Sequence, residues 1–265
     1  MLKRTFMHIS GVSRATEEKF WSEGISSWDD FLKYSENLNT KTLNISRNKI
    51  KMISSEIKCS ITALKKSDYN CFITSMQGRD HWRAYPEMKG RCCFLDIETT
   101  GLDKRRDDIT LIGIYDGKKS RIFIQGKNID DFKKEIEKYD CIISFNGRCF
   151  DIPFLKAKFP DVDFEKFHID LRFAMKELGF SGGLKKIEKE IGISREDDIL
   201  DVDGFEAVRL WYKYLRGDKQ ALDLLVKYNI ADIENLKVMM DFAYGLLEKK
   251  YYKNTEDEAD TSKTK

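Results

Sequence analysis

The sequence predicts an α/β domain built on a mixed sheet and preceded by a small all-helical unit. Three observations carry that prediction. Apolar residues recur at intervals of three and four before about residue 78, short β-branched runs bounded by turn residues fill 92–145, and helical spacing returns beyond residue 183. A chain of 265 residues accommodates one large domain and a smaller appendage.

Taken in order, 16–31 reads as two short helices, with Gly24 ending the first and Ser27 capping the second ahead of Asp30. A longer helix starts near Ser46, where Ile50, Ile53, Ile57, Ile61 and Leu64 form one apolar stripe. The helical unit spans 1–78, and a connector at 79–90 holds Gly78, Pro86 and Gly90 at or beside its ends; its Trp82 is expected to pack against the following domain. Strands are expected at 92–97, 109–115 and 120–124, the last two joined through Asp116-Gly117. An amphipathic helix at 130–138, a buried strand at 141–145 and a helix at 152–159 with Pro153 in its first turn complete the alternating section. Helices at 183–191, 203–215, 218–227 and 228–250 follow, closing a domain of 91–250. From 251 to 265 the composition predicts a disordered tail.

Composition is that of a soluble globular protein, with 41% hydrophobic and 35% charged residues and no apolar run near the ~20 residues that cross a bilayer. No membrane association is expected. The N-terminus lacks an apolar segment after its basic start, which predicts a cytoplasmic protein. Six cysteines show no C-x-x-C pairing and read as free, several of them as small hydrophobes in strand-like runs. Net charge is +2, yet residues 1–89 carry 15 Lys and Arg against 10 Asp and Glu. That basic excess fits either a polyanion-guiding surface or ordinary solvated charge.

The chemistry concentrates in three places. Asp96 and Glu98, two apart on a strand, place both carboxylates on one face while Leu95 and Ile97 take the other. Two like charges on one face resist joint ionisation unless a cation compensates, although a D-x-E pair alone is common. Asp151 follows a buried strand and the loop Asn146-Gly-Arg-Cys-Phe150, where it reads as either a site carboxylate or a helix N-cap. Tyr228 and Asp232 share one face of a helix, an arrangement that is ordinary when taken by itself.

In this order, D-x-E, N-x-x-x-F-D and Y-x-x-x-D resemble the three-motif signature of the DEDDy exonucleases over roughly residues 90–245. The stretches His168-Ile-Asp-Leu-Arg172, Ser181-Gly-Gly-Leu-Lys-Lys-Ile187 and Gly204-Phe-Glu-Ala-Val-Arg-Leu-Trp211 are similar to the YprB-type RNase H-like family in particular. The DEDDh variant needs a histidine where this chain has Lys227. The resemblance implies an RNase H-like mixed sheet flanked by helices and a 3′–5′ exonuclease releasing 5′-mononucleotides. It implies that Asp96, Glu98, Asp151 and Asp232 hold two divalent ions, Mg²⁺ or Mn²⁺, about 3.5–4 Å apart. Tyr228 would position the attacking water as a neutral phenol. The implied partner is a single-stranded nucleic acid, DNA or RNA, with a free 3′ end; no protein partner is identifiable.

Proximity to these motifs adds substrate candidates. Thr99, Gly101 and Leu102 would lie beside the terminal nucleotide. Asn146 and Phe150 would meet sugar and base, with core packing an equal reading for Phe150; Lys185 would meet phosphate or remain solvated. Asp170 reads as a support for the metal site or as a structural hydrogen-bonding residue. The segment Phe6–Leu32 resembles a helix-hairpin-helix unit, except that Ser13 replaces the second hairpin glycine after Gly11. DNA contact and helix packing both remain open there. Two other functions fit the same residues: a catalytically silent nucleic-acid-binding protein, and a structure-specific endonuclease on the same metal centre.

Overall fold

The computed structural model describes residues 1–37, 43, 45–200 and 202–253. The chain divides into two compact units, Met1–Glu87 with the chain from Leu246 onward, and Met88–Gly245. No helix among the described residues is long and apolar enough to cross a membrane.

The first unit is helical: α1 (Arg14–Ser22), α2 (Trp28–Glu36), α3 (Arg47–Lys65), α4 (Asn70–Ser75) and α5 (Tyr85–Met88), the last ending at the boundary. Serine hydroxyls cap the first three, Ser13 accepting from the Thr16 amide, Ser27 from Asp30 and Ser46 from Lys49. Each cap satisfies an amide that the first turn leaves without a partner. Helix α3 buries Ile50, Ile53 and Ile57, whereas Ile61 and Leu64 at the end of the expected stripe are half-buried. In the hairpin before α1, the Ser10 amide is taken by Glu56 and the Gly11 carbonyl by Lys49.

Residues 79–90 differ from the connector read in the sequence. Gly78–Ala84 form a 3-10 helix that leads directly into α5, and Asp80, Trp82 and Arg83 are buried. The ordering has a polar cause: Arg83 pairs with Glu17 and Asp80 and donates to the Tyr252 hydroxyl. Trp82 stacks on Tyr251 at 5.8 Å, a contact within the first unit. Residues 251–253, expected in the tail, are ordered, with Tyr251 and Tyr252 buried in a π-helical turn, Lys249–Lys253. The remainder of that tail lies outside the described residues.

The second unit is a five-stranded mixed sheet flanked by helices. Its strands are β1 (Cys92–Thr99), β2 (Ile109–Tyr115), β3 (Ser120–Ile124), β4 (Cys141–Ser144) and β5 (Phe167–Asp170), in the order β3-β2-β1-β4-β5. The first three form an antiparallel meander, while β4 runs parallel to β1 and β5 parallel to β4. Helices α6 (Phe132–Ile136), α7 (Asp151–Lys158), α8 (Leu171–Glu177), α9 (Leu184–Glu190), α10 (Gly204–Leu215) and α11 (Lys219–Glu248) complete it. Strand alternation splits the core in two. Cys93, Leu95 and Ile97 face Phe132, Ile136, Phe154 and Leu155, whereas Leu111 faces Leu210, Trp211 and Leu225 from α10 and α11.

Five element assignments differ from the sequence reading. Strand β1 continues to Thr99, and α6 is shortened by a preceding 3-10 turn, Ile129–Asp131. Strand β5 and helix α8 were not read at all. The two helices expected at 218–227 and 228–250 are one, since no glycine or proline falls between Lys219 and Tyr244 to interrupt the hydrogen-bond ladder.

Candidate active site

Asp96 and Glu98 leave β1, the central strand, on the face covered by α11. Their partners across the antiparallel pair are Gly113 and Leu111. Tyr228, Asn229 and Asp232 descend from α11 at helical spacing onto the same place. One carboxylate oxygen from each of Asp96, Glu98 and Asp232 lies within 4.8 Å of the other two. Asp151 is not one of that trio, but its charge acts on both Asp96 and Glu98. It is the first residue of α7 and not its N-cap, a position held by Phe150 without a side-chain bond. The N-cap reading of Asp151 therefore fails, and its Oδ1 is buried with no hydrogen-bond partner.

Burying these acids together is costly. Burial, then the charges of Asp232 and Asp151, holds Asp96 and Glu98 well above the ordinary carboxylate range. Burial lifts Asp151 to about 7 and Asp232 to about 6, the latter restrained by Arg195. Tyr228 is raised by burial and by the charges of Asp232, Glu98 and Asp96, so it remains a neutral phenol. Such a set of clustered hard oxygen donors, one of them a buried orphan, fits a divalent cation, which would relieve the mutual repulsion.

Four residues that the sequence reading did not single out organise this cluster. Asn229 donates from Nδ2 to Asp96 Oδ2 at 2.9 Å. Gly113 makes room for it: a Cβ there would lie inside the surface of the Asn229 amide oxygen, 3.0 Å from its Cγ and 3.2 Å from Ile233 Cδ1. Arg195, from the segment after α9, pairs with Asp232 and grips Glu188 through Nε and Nη2, both at 2.7 Å. Adjacency to Tyr228 could have flagged Asn229; nothing in the spacing of Arg195, Glu188 or Gly113 marks them.

The substrate candidates scatter more widely. Lys185 lies 5.0 Å from the centroid of the Tyr228 ring and donates to the carbonyls of Leu200 and Val202. Thr99 donates to the Gly101 carbonyl at 2.6 Å, and a Cβ on Gly101 would displace the Asp107 carboxylate, which lies 2.5 Å from that position. Leu102, 80% exposed, and Phe150 line a cavity of about 340 Å³ with Lys104, Arg105 and Pro153. Phe150 also packs on Phe154 at 4.9 Å and, partly buried, lies against the core. Asn146 adopts φ +63° and accepts from Arg172 at 2.6 Å. Asp170 holds that loop, accepting from the amides of Asn146, Arg148 and Arg172, which is the structural role among its two readings.

Comparison with known proteins agrees with this architecture. A family model described as RNase_H superfamily matches residues 93–244, more than half of the chain. The chain belongs to the RNase H superfamily. No curated protein matches its sequence. Among solved structures it is similar to the family B DNA polymerase from the hyperthermophilic archaeon Pyrobaculum calidifontis, at 16% identity and TM-score 0.44 over 60% of this chain and 24% of that one. It thus spans about a quarter of the polymerase. Brucella melitensis NrnC with bound Mg²⁺ is similar at 19% identity and TM-score 0.42, over 65% of this chain and 82% of that one. A structure described as the apo form of a nuclease is similar at 18% identity and TM-score 0.43, over 69% and 83%.

Proposed function

We propose that this RNase H-superfamily chain is a metal-dependent 3′–5′ exonuclease of the DEDDy type. The observation that carries the reading is the convergence of Asp96, Glu98 and Asp232, with Asp151 in electrostatic reach, on one buried patch beside Tyr228. Asp96, Glu98, Asp151 and Asp232 would hold two divalent ions, Mg²⁺ or Mn²⁺. When bound, these supply a polarised water and neutralise the charge that grows on the departing 3′ oxygen. The protein's own part is positional. Asn229 fixes Asp96 with one oxygen committed, and Arg195 does the same for Asp232, so each carboxylate presents its second oxygen to the patch.

Tyr228, kept protonated by its burial and then by the acids around it, would orient the attacking water by hydrogen bonding without removing its proton. The substrate would be a single-stranded nucleic acid, with its terminal nucleotide beside Thr99 and Leu102 and the cavity shared by Leu102 and Phe150 receiving a base. The test uses 5′-labelled single-stranded DNA and RNA with Mg²⁺, Mn²⁺ or EDTA. The expected result is a descending ladder with 5′-mononucleotide release, abolished by EDTA and by Asp232→Ala, and no cleavage of circular single strands. Cutting of the circle would make the enzyme an endonuclease. Absent hydrolysis would leave a binding protein, and hydrolysis that persists in EDTA would refute the metal mechanism.

A further inference from the structure

We infer that Arg195 is a substrate-phosphate ligand of this site, an inference that rests on the nuclease reading above. The side chain of Arg195 is 3% exposed, and that of Glu188 beneath it 2%. Its guanidinium is committed on two sides. Nε and Nη2 grip the Glu188 carboxylate at 2.7 Å each, and Nη2 also bonds Asp232 Oδ1. Glu188 is fixed in turn by Asn235 at 3.0 Å.

Nη1 is different: it is buried and has no hydrogen-bond partner. The planar fork dictates where its protons go. The Nε and Nη2 hydrogens that meet Glu188 form one edge, and the second Nη2 hydrogen, which meets Asp232, leaves from the end of the fork. One Nη1 hydrogen is parallel to it, and so is directed to the same side as Asp232 and the carboxylate patch. An orphaned charged donor is expensive to keep buried unless an acceptor arrives. Asp232 already accepts from Nη2, Asp96 accepts from Asn229, and the remaining carboxylate oxygens of the patch would be taken up by the cations of the proposed site. The acceptor that suits a guanidinium end held beside metal-binding carboxylates is a phosphate oxygen. Glu188 cancels much of the charge of Arg195, which leaves the patch attractive to cations while the donor stays aimed.

This assignment predicts that Arg195 contributes to binding the phosphate of the product, which is the phosphate that was attacked. Equilibrium binding of thymidine and uridine 5′-monophosphates is compared with that of the bare nucleosides, in Ca²⁺, for wild type and Arg195→Met. Mn²⁺ affinity without nucleotide is measured alongside. The preference for monophosphate over nucleoside should fall about ten-fold or more in Arg195→Met, with Mn²⁺ affinity changed less than about three-fold. Because Arg195→Met alone leaves Glu188 unpaired and can misfold, the Arg195→Met/Glu188→Gln pair, which removes both charges, is carried through the same measurements. An undiminished phosphate preference overturns the assignment, as does a loss that merely tracks lost Mn²⁺ affinity, since Arg195 would then act only through Asp232. Failure of the nuclease reading appears separately, as absent hydrolysis by wild type.

Discussion

Gly113→Ala perturbs the cluster without touching any acid. The added methyl would overlap the Asn229 amide, and both Asn229 and Ile233, on the face of α11 turned to the sheet, are fully buried, so neither moves without cost. Two relaxations exist. Either Asn229 swings off Asp96, losing its hydrogen bond to the buried carboxyl group and leaving its amide unsatisfied, or α11 lifts from β2 and carries Asp232 away from Asp96 and Glu98. The first costs about 2–5 kcal/mol, combining the lost bond with the stranded amide. For a unit of roughly 150 residues that corresponds to a drop of about 5–15 °C in Tm. Gly90→Ala is the control, because a Cβ there meets nothing within 4 Å; it should change stability by less than about 0.5 kcal/mol. Urea and thermal unfolding of both variants, repeated in an Asn229→Ala background, completes a double-mutant cycle. Gly113→Ala should cost at least about 1 kcal/mol less when Asn229 is already absent. Equal effects of the two glycine variants, or additive costs in the cycle, would refute the proposed clash.

Three further outcomes follow from the same structure. Burial pushes Asp151 up to about 7 and Asp232 up to about 6, above the ordinary ~3.9, so the folded metal-free protein should bind more protons than the unfolded chain between about pH 4 and 7. Their stabilising contribution is complete below that window and is lost as pH rises through it. Melting in EDTA from pH 5.5 to 7.5 should therefore show a loss that Asp151→Asn reduces and Mg²⁺ reverses; an unaltered slope in Asp151→Asn would contradict this. In the first unit the sign is opposite. Burial between Trp28 and Phe72 lowers His8 to about 4, so its contribution, about 3 kcal/mol, is present above pH ~6.5 and vanishes as pH falls towards 4. His8→Phe should flatten the acid limb of stability against pH, and an unchanged limb would remove His8 as its source. Tyr228→Phe should lower kcat by about 100-fold while leaving Mn²⁺ affinity intact, as befits a water-positioning phenol; a matching loss of metal affinity would make it a structural residue.

The strands were legible because Cys92–Thr99 and Ile109–Tyr115 are apolar, β-branched and bounded by turns. Strand β5 was not, since it has only four residues and His168 interrupts its apolar character. The acids Asp96, Glu98 and Asp232 are visible as spacing on a strand and a helix, and the structure brings them within shared reach. What periodicity cannot encode is the set of long-range partners. Asn229 meets Asp96 across 133 positions of chain, and Arg195 meets Asp232 across 37. Gly113 looks like a weak point in a strand until the helix above it is known. The break expected between residues 227 and 228 is absent, because no glycine or proline falls there and no residue opposes helix.

The central claim is that folding collects Asp96, Glu98, Asp151 and Asp232 into one cation-holding patch. Titration of metal-free protein with Mn²⁺, following free ion by electron paramagnetic resonance, counts the ions bound per chain. Wild type should take up two with saturation, and Asp96→Asn should lose at least one of them while remaining folded. Identical Mn²⁺ uptake by the two proteins would contradict the account.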